Sequence, residues 1–188
     1  MTVSLIPTAS QTVGPFVEIG CKYLETDRVG ASGPNAIDAI VRGRVIDGDG
    51  AVVPDFMLEI WQVAPAAGVI LSEAKARPEE RERRRDRFRA KAVGFARVMP
   101  LTDGSFAFRT SDASPLAILV FMRGLLKPVL TRMYVPDDPR NGTDPVLALV
   151  PADRRATLIG KAVSDAPLLE LEWNIVLQGD AETVFFEW

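Results

Sequence analysis

The side chains most enzymes use for proton transfer and metal ligation are nearly absent from this 188-residue chain, which has no histidine and one cysteine, Cys21. A Ser-His-Asp triad or a Cys-His pair therefore cannot be assembled. Nor can a histidine-ligated zinc, copper or non-haem iron site. No side chain titrates near neutrality unless its surroundings shift it. One cysteine excludes an intrachain disulfide, and Cys21 reads as an unreactive thiol. The one segment that suggests chemistry by composition is Glu73 to Lys91, with nine basic and five acidic residues, including the run Arg81 to Arg89. Such a run could bind nucleic acid. Its basic residues are interleaved with acids, however, only Phe88 could stack on a base, and the whole chain carries a net charge of −3 with a pI near 5.1. A solvated segment laced with Glu–Arg pairs is the better reading.

Whatever site exists must be positioned by elements that the hydrophobic pattern outlines. At 20.5 kDa and 47% hydrophobic residues the chain is long enough for one domain with a full core. Residues 1–35, rich in Gly, Pro, Ser and Thr, read as an N-terminal arm and loop rather than packed structure. Residues 36–188 read as the domain. Seven strands are expected there. Ile40–Ile46 ends at Asp47-Gly48-Asp49-Gly50, Phe56–Val63 alternates, and Ser105–Arg109 follows Asp103-Gly104. Leu116–Met122 is continuously apolar, as in a strand buried on both faces. Val129–Val135, Leu169–Leu177 and Thr183–Glu187 complete the set. Pro145–Lys161 has helical spacing interrupted by Pro151, so one or two short helices are expected. Trp61 and Trp173 are expected in the core. The fold class is all-β: an antiparallel β-sandwich with an extended arm. No run approaches the ~20 apolar residues of a membrane span, and Met1–Ser10 lacks the features of a signal peptide. A cytoplasmic protein with no nucleic-acid or membrane partner is the expectation.

Three stretches, in order along the chain, carry a family resemblance. The first is Gln11-Thr12-Val13-Gly14-Pro15-Phe16. The second runs from Gly43-Arg44-Val45-Ile46-Asp47-Gly48 through Leu58-Glu59-Ile60-Trp61-Gln62. The third begins at Leu101-Thr102-Asp103-Gly104-Ser105-Phe106, includes Leu130-Thr131-Arg132-Met133-Tyr134, and ends in Gly179-Asp180-Ala181-Glu182-Thr183-Val184-Phe185-Phe186. Together they resemble the intradiol ring-cleavage dioxygenases, and within them the alpha chains of the enzymes that act on protocatechuate.

That resemblance implies a β-sandwich built from homologous alpha and beta chains, in a higher hetero-oligomer. It implies Fe(III) held by two tyrosines and two histidines, which binds the catecholate and activates it toward O₂. The two histidine places fall here on Pro115 and Ala117, neither of which can bind iron. Tyr134 matches a strand tyrosine that is not a ligand, and the loop for a ligand tyrosine is largely deleted between Thr110 and Pro115. The resemblance therefore implies a chain that holds no metal and no catalytic residue of its own, with Fe(III) on the partner beta chain. It places Thr12, Gly14, Pro15 and Arg132 toward the substrate. Gly14 admits close backbone approach to a flat ring, and Pro15 fixes φ and offers a rigid wall. Phe16 stands where many alpha chains have tyrosine. Two other readings compete: a free-standing β-sandwich binding module derived from the enzyme, and an RNA-associated protein that uses the arginine run.

Overall fold

A computed structural model of the chain describes residues 9–14, 16–30, 39–63, 92–110, 115–163 and 168–187. Pro15, the charged stretch 73–91, the loop 111–114 and the expected arm–domain boundary at 35–36 lie outside these residues.

Among the described residues ten strands form two sheets. One sheet has four strands: β3 (Phe56–Val63), β4 (Ala92–Val98), β6 (Leu116–Met122) and β7 (Val129–Met133), in the order β4-β3-β6-β7, every pair antiparallel. The other has six: β1 (Arg28–Val29), β2 (Ala39–Ile46), β5 (Ser105–Thr110), β8 (Lys161–Ala162), β9 (Leu169–Glu172) and β10 (Ile175–Val176). The alternation reads directly as packing. On β2, Ala39, Val41, Gly43 and Val45 are buried while Arg42 and Arg44 are exposed. Val41, Leu58, Ile60, Phe106, Ile118 and Ile175 meet between the sheets, each 0% exposed. Burial of side chains of this size is the main stabilising term of the sandwich.

The second sheet is mixed rather than antiparallel. β2 pairs antiparallel with β5 but parallel with β9 and β10, and β1 runs parallel to β5. The stretch expected as one strand over Leu169–Leu177 is broken at Trp173–Asn174, which bulges opposite Gly43. The Trp173 amide donates to the Arg42 carbonyl (2.9 Å), and Asn174 Oδ1 accepts from the Arg44 amide (2.9 Å). A Cβ at Gly43 would run into the Trp173 carbonyl oxygen and the Phe106 ring, so glycine is required there by close approach.

The arm is not wholly extended. It contains α1 (Phe16–Cys21), a 3₁₀ turn over Lys22–Leu24, and β1, whose Val29 is fully buried in the core. α1 buries no residue, so its sequence had no core-facing period to show. Thr183–Glu187 forms no strand. Phe186 makes a single bridge to Leu130 instead, its amide donating to the Leu130 carbonyl (2.8 Å). Trp173 is buried, with Nε1 donating to the Thr157 carbonyl (3.0 Å). Trp61 is not in the sandwich core. It lies half-buried on the outer face of the four-stranded sheet, 4.4 Å from the Phe95 ring. Between β7 and β8 the expected short helices appear as α2 (Pro145–Leu149) and a 3₁₀ turn at Arg155–Leu158. No helix among the described residues is long and apolar enough to cross a membrane.

Candidate functional site

Thr12 is held by the turn that ends β6. Its hydroxyl accepts from the Gly124 amide (2.8 Å) and lies 3.5 Å from the Met122 carbonyl, to which it can donate. Gly124 takes a φ of 96°, so glycine suits that turn and its N–H is free to point at the arm. Two residues on, the Gly14 carbonyl accepts from the Val17 amide (3.0 Å) and opens α1. A Cβ built on Gly14 would meet nothing within 4 Å, and its φ lies outside the left-handed region. Nothing among the described residues therefore requires glycine at 14. The backbone at 12–14 is pinned at one end and open on the side where a ring could approach.

Arg132 is placed differently. It sits opposite Ala117 in the β6–β7 register and is 3% exposed. Its guanidinium Nη1 stands 3.6 Å from Asp144 Oδ2, and its buried Nε has no acceptor among the described residues. Asp144 organises this corner. Its Oδ1 accepts from the Val146 and Leu147 amides (2.9 and 2.8 Å), capping α2, and from the Tyr134 hydroxyl (3.0 Å). Burial pushes the Tyr134 phenol up to about 12, with Arg132 pulling the other way and Asp144 adding to the rise. Thr12 touches the Met122–Gly124 turn while Arg132 lies beside Ala117. About six residues of strand separate them, roughly 20 Å at about 3.3 Å per residue. The structure does not bring these two expected site residues together. Asp144 was missed from sequence, although Asp144-Pro145 ahead of an apolar run is a cap followed by proline at the first helical position.

The chain's residues do not fit a two-histidine, two-tyrosine iron site. Ala117 sits in an apolar cluster with Leu130, Trp61 and Phe186, and Pro115 has no donor atom to offer. A ligand tyrosine must give up its proton, and Tyr134 is held as the neutral phenol by burial. Tyr23 projects from the arm, 80% exposed. No group of three or more His, Cys, Asp or Glu suited to a metal occurs among the described residues. An open groove between α1 and the β4–β5 turn is lined by Glu18, Lys22, Glu25, Arg42, Leu101 and Asp103. Its mixed charges and open walls differ from the enclosed, apolar form of a small-molecule site.

Three comparisons set the chain among known proteins. No protein-family model matches it. The alpha chain of protocatechuate 3,4-dioxygenase from Burkholderia cepacia is 35% identical over 206 aligned positions, covering 98% of each chain. The corresponding alpha chain from Pseudomonas putida is 29% identical over the full length of both. Among solved structures, the dioxygenase domain of a carbohydrate-binding fusion from Streptomyces sp. SirexAA-E superposes with a TM-score of 0.53 at 17% identity, covering 85% of this chain and 89% of that one. Catechol 1,2-dioxygenase from Acinetobacter sp. ADP1 gives a TM-score of 0.53 at 17% identity, covering 82% and 58%. At these identities the structural likeness is one of fold.

Proposed function

The chain belongs to the alpha chains of protocatechuate 3,4-dioxygenase, within the intradiol ring-cleavage dioxygenases, and from that premise we propose that it completes the substrate pocket of a homologous, iron-bearing beta chain. The reaction of the pair is cleavage of protocatechuate by O₂ between its two hydroxyls, giving 3-carboxy-cis,cis-muconate on the β-ketoadipate route. Fe(III) on the beta chain supplies the redox chemistry. This chain supplies a surface.

The observation that carries the reading is the Thr12–Gly14 segment. Thr12 fixes it to the end of β6, and Gly14 presents bare backbone into open space. A glycine that none of the described residues requires is suited to a flat ring brought by another chain. Proline at 15, next in sequence, suits the same role by its fixed φ. Held there, the segment restricts the ring to one orientation and keeps water from it. Arg132 is suited to a supporting part. One aromatic ring is too small to touch both Thr12 and Arg132, and a guanidinium this buried holds Asp144 and Tyr134 more readily than it reaches substrate.

Deleting residues 1–15 tests the proposal in the assembled complex. The sandwich should melt at nearly its original temperature, because none of the described residues 9–14 is buried. Turnover of protocatechuate should fall on the order of 10²-fold, the usual cost of a misplaced substrate. Unaltered turnover in a correctly assembled complex would refute a pocket role for the arm.

A further inference from the structure

We infer that Gly124 is a positioning residue for the ring-cleavage reaction: it holds the turn after β6 in the one backbone form that hands an N–H to Thr12, and so fixes the pocket-wall segment of the arm. The inference rests on the alpha-chain reading above. Met122 to Leu125 is a hydrogen-bonded four-residue turn, the Leu125 amide donating to the Met122 carbonyl (3.3 Å). Gly124, in its third place, has a φ of 96°, and Arg123 before it has a negative φ. That combination is a type II turn, which calls for glycine or asparagine in the third place. Its central peptide takes no part in the turn's own bond, so the Gly124 N–H is left for an outside acceptor. The Thr12 hydroxyl, 112 residues away in sequence, accepts it at 2.8 Å. The second contact of Thr12, 3.5 Å from the Met122 carbonyl, is at the limit of a hydrogen bond.

Glycine is set here by conformation and not by space. A Cβ on Gly124 would meet nothing within 4 Å, whereas one on Gly43 would strike the Trp173 carbonyl. Alanine at 124 therefore fits, but its side chain disfavours a positive φ. The turn relaxes from type II to type I, a change that keeps the bond between Leu125 and Met122. In it, ψ of the second residue goes from about +120° to about −30°, and φ of the third from about +80° to about −90°. The peptide between them turns over, and the N–H that faced Thr12 faces away. Arg123 reaches Asp55, just ahead of β3, at 3.1 Å, but both side chains are exposed and such a pair contributes little. The backbone form at 124 is thus what joins the end of β6 to the segment that meets the ring. A φ angle sets a hydrogen bond, the bond holds the Thr12–Gly14 backbone, and that backbone orients the substrate.

Oxygen uptake with protocatechuate by the full chain assembled with a protocatechuate 3,4-dioxygenase beta chain tests this, beside thermal melts of the same complexes. Gly124→Ala should lower kcat/KM about fivefold, the effect of losing one ordinary hydrogen bond, chiefly by raising KM, with Tm nearly unchanged. Thr12→Val should do the same, and the double variant should be no worse than either, because both changes remove one bond. Gly124→Asn, larger than alanine but tolerant of positive φ, should recover at least half of the loss. Equal impairment by alanine and asparagine overturns the inference, since bulk and not backbone form would then be the cause. Additive losses in the double variant overturn it too, as do unaltered kinetics in Gly124→Ala while deletion of residues 1–15 still cripples turnover; in each case the alpha-chain reading stands. If Gly124→Ala does not assemble, Thr12→Ser decides: it keeps the acceptor and should retain at least twice the kcat/KM of Thr12→Val, and equal loss overturns the inference. Deletion of residues 1–15 without effect overturns the pocket reading, and the inference with it.

Discussion

Asp144→Ala should be among the most damaging single changes outside the sandwich core. The carboxylate has three tasks: it caps α2 through two amides, accepts from the Tyr134 hydroxyl, and stands against the Arg132 guanidinium. Losing a cap costs about 1 kcal/mol. Leaving a buried hydroxyl without its acceptor costs about 1–3 kcal/mol, and removing one member of a buried ion pair about 3–5 kcal/mol. These terms overlap, so about 4 kcal/mol is a sensible total. For a chain of this length each kcal/mol lowers Tm by about 2–4 °C, which gives a fall of roughly 8–16 °C. Asp144→Asn retains an acceptor for the amides and should lose about half as much. The double variant Asp144→Asn with Arg132→Met should recover part of that loss, because it removes the uncompensated cation. Urea melts of the four proteins at one concentration measure all of this. A loss under about 1 kcal/mol for Asp144→Ala, or no recovery in the double variant, would refute the account of this corner.

Three further outcomes follow from single sites. In a Tyr23→Phe background, the absorbance of the remaining tyrosine should rise only near pH 12; because burial favours the neutral phenol, its stabilising contribution is complete below pH 10 and is lost between pH 10 and about 12, and a midpoint at 10 would show Tyr134 to be solvated. Gly43→Ala should cost about 1–3 kcal/mol through overpacking against the Trp173 carbonyl and Phe106, and an unchanged urea midpoint would mean the bulge can move aside. Thr12→Val should leave Tm within about 1 °C, since the bond is exposed, but should speed hydrogen exchange at the Gly124 amide; unchanged exchange would show that the arm is not pinned there.

The strands were readable wherever one face meets the core. β2, β3, β5 and β6 alternate or run apolar as their burial requires, and their expected bounds agree with the structure to within a residue. Elements whose stability comes from elsewhere were not. α1 buries nothing, so Phe16, Ile19 and Tyr23 gave no signal that distinguishes a helix from a loop. β4 went unread because small residues lead into it: Gly94 faces the Gly30 backbone, where a Cβ would collide. The break in Leu169–Leu177 is set by Gly43, 130 residues from Trp173, and no local pattern encodes it. The Thr12–Gly14 segment was visible by its motif, but its attachment to Gly124 depends on tertiary placement. Arg132 read as a site residue by resemblance, and the structure adds what sequence could not supply, its burial against Asp144.

The most direct measurement takes the separated chains and their recombined complex through iron analysis and oxygen uptake with protocatechuate. The expected result is no iron and no turnover in this chain, which lacks histidine altogether, iron in the beta chain, and full ring cleavage only when both are present. Stoichiometric iron on this chain alone, or a beta chain that cleaves protocatechuate equally well without it, would contradict a subunit whose contribution is the wall of its partner's pocket.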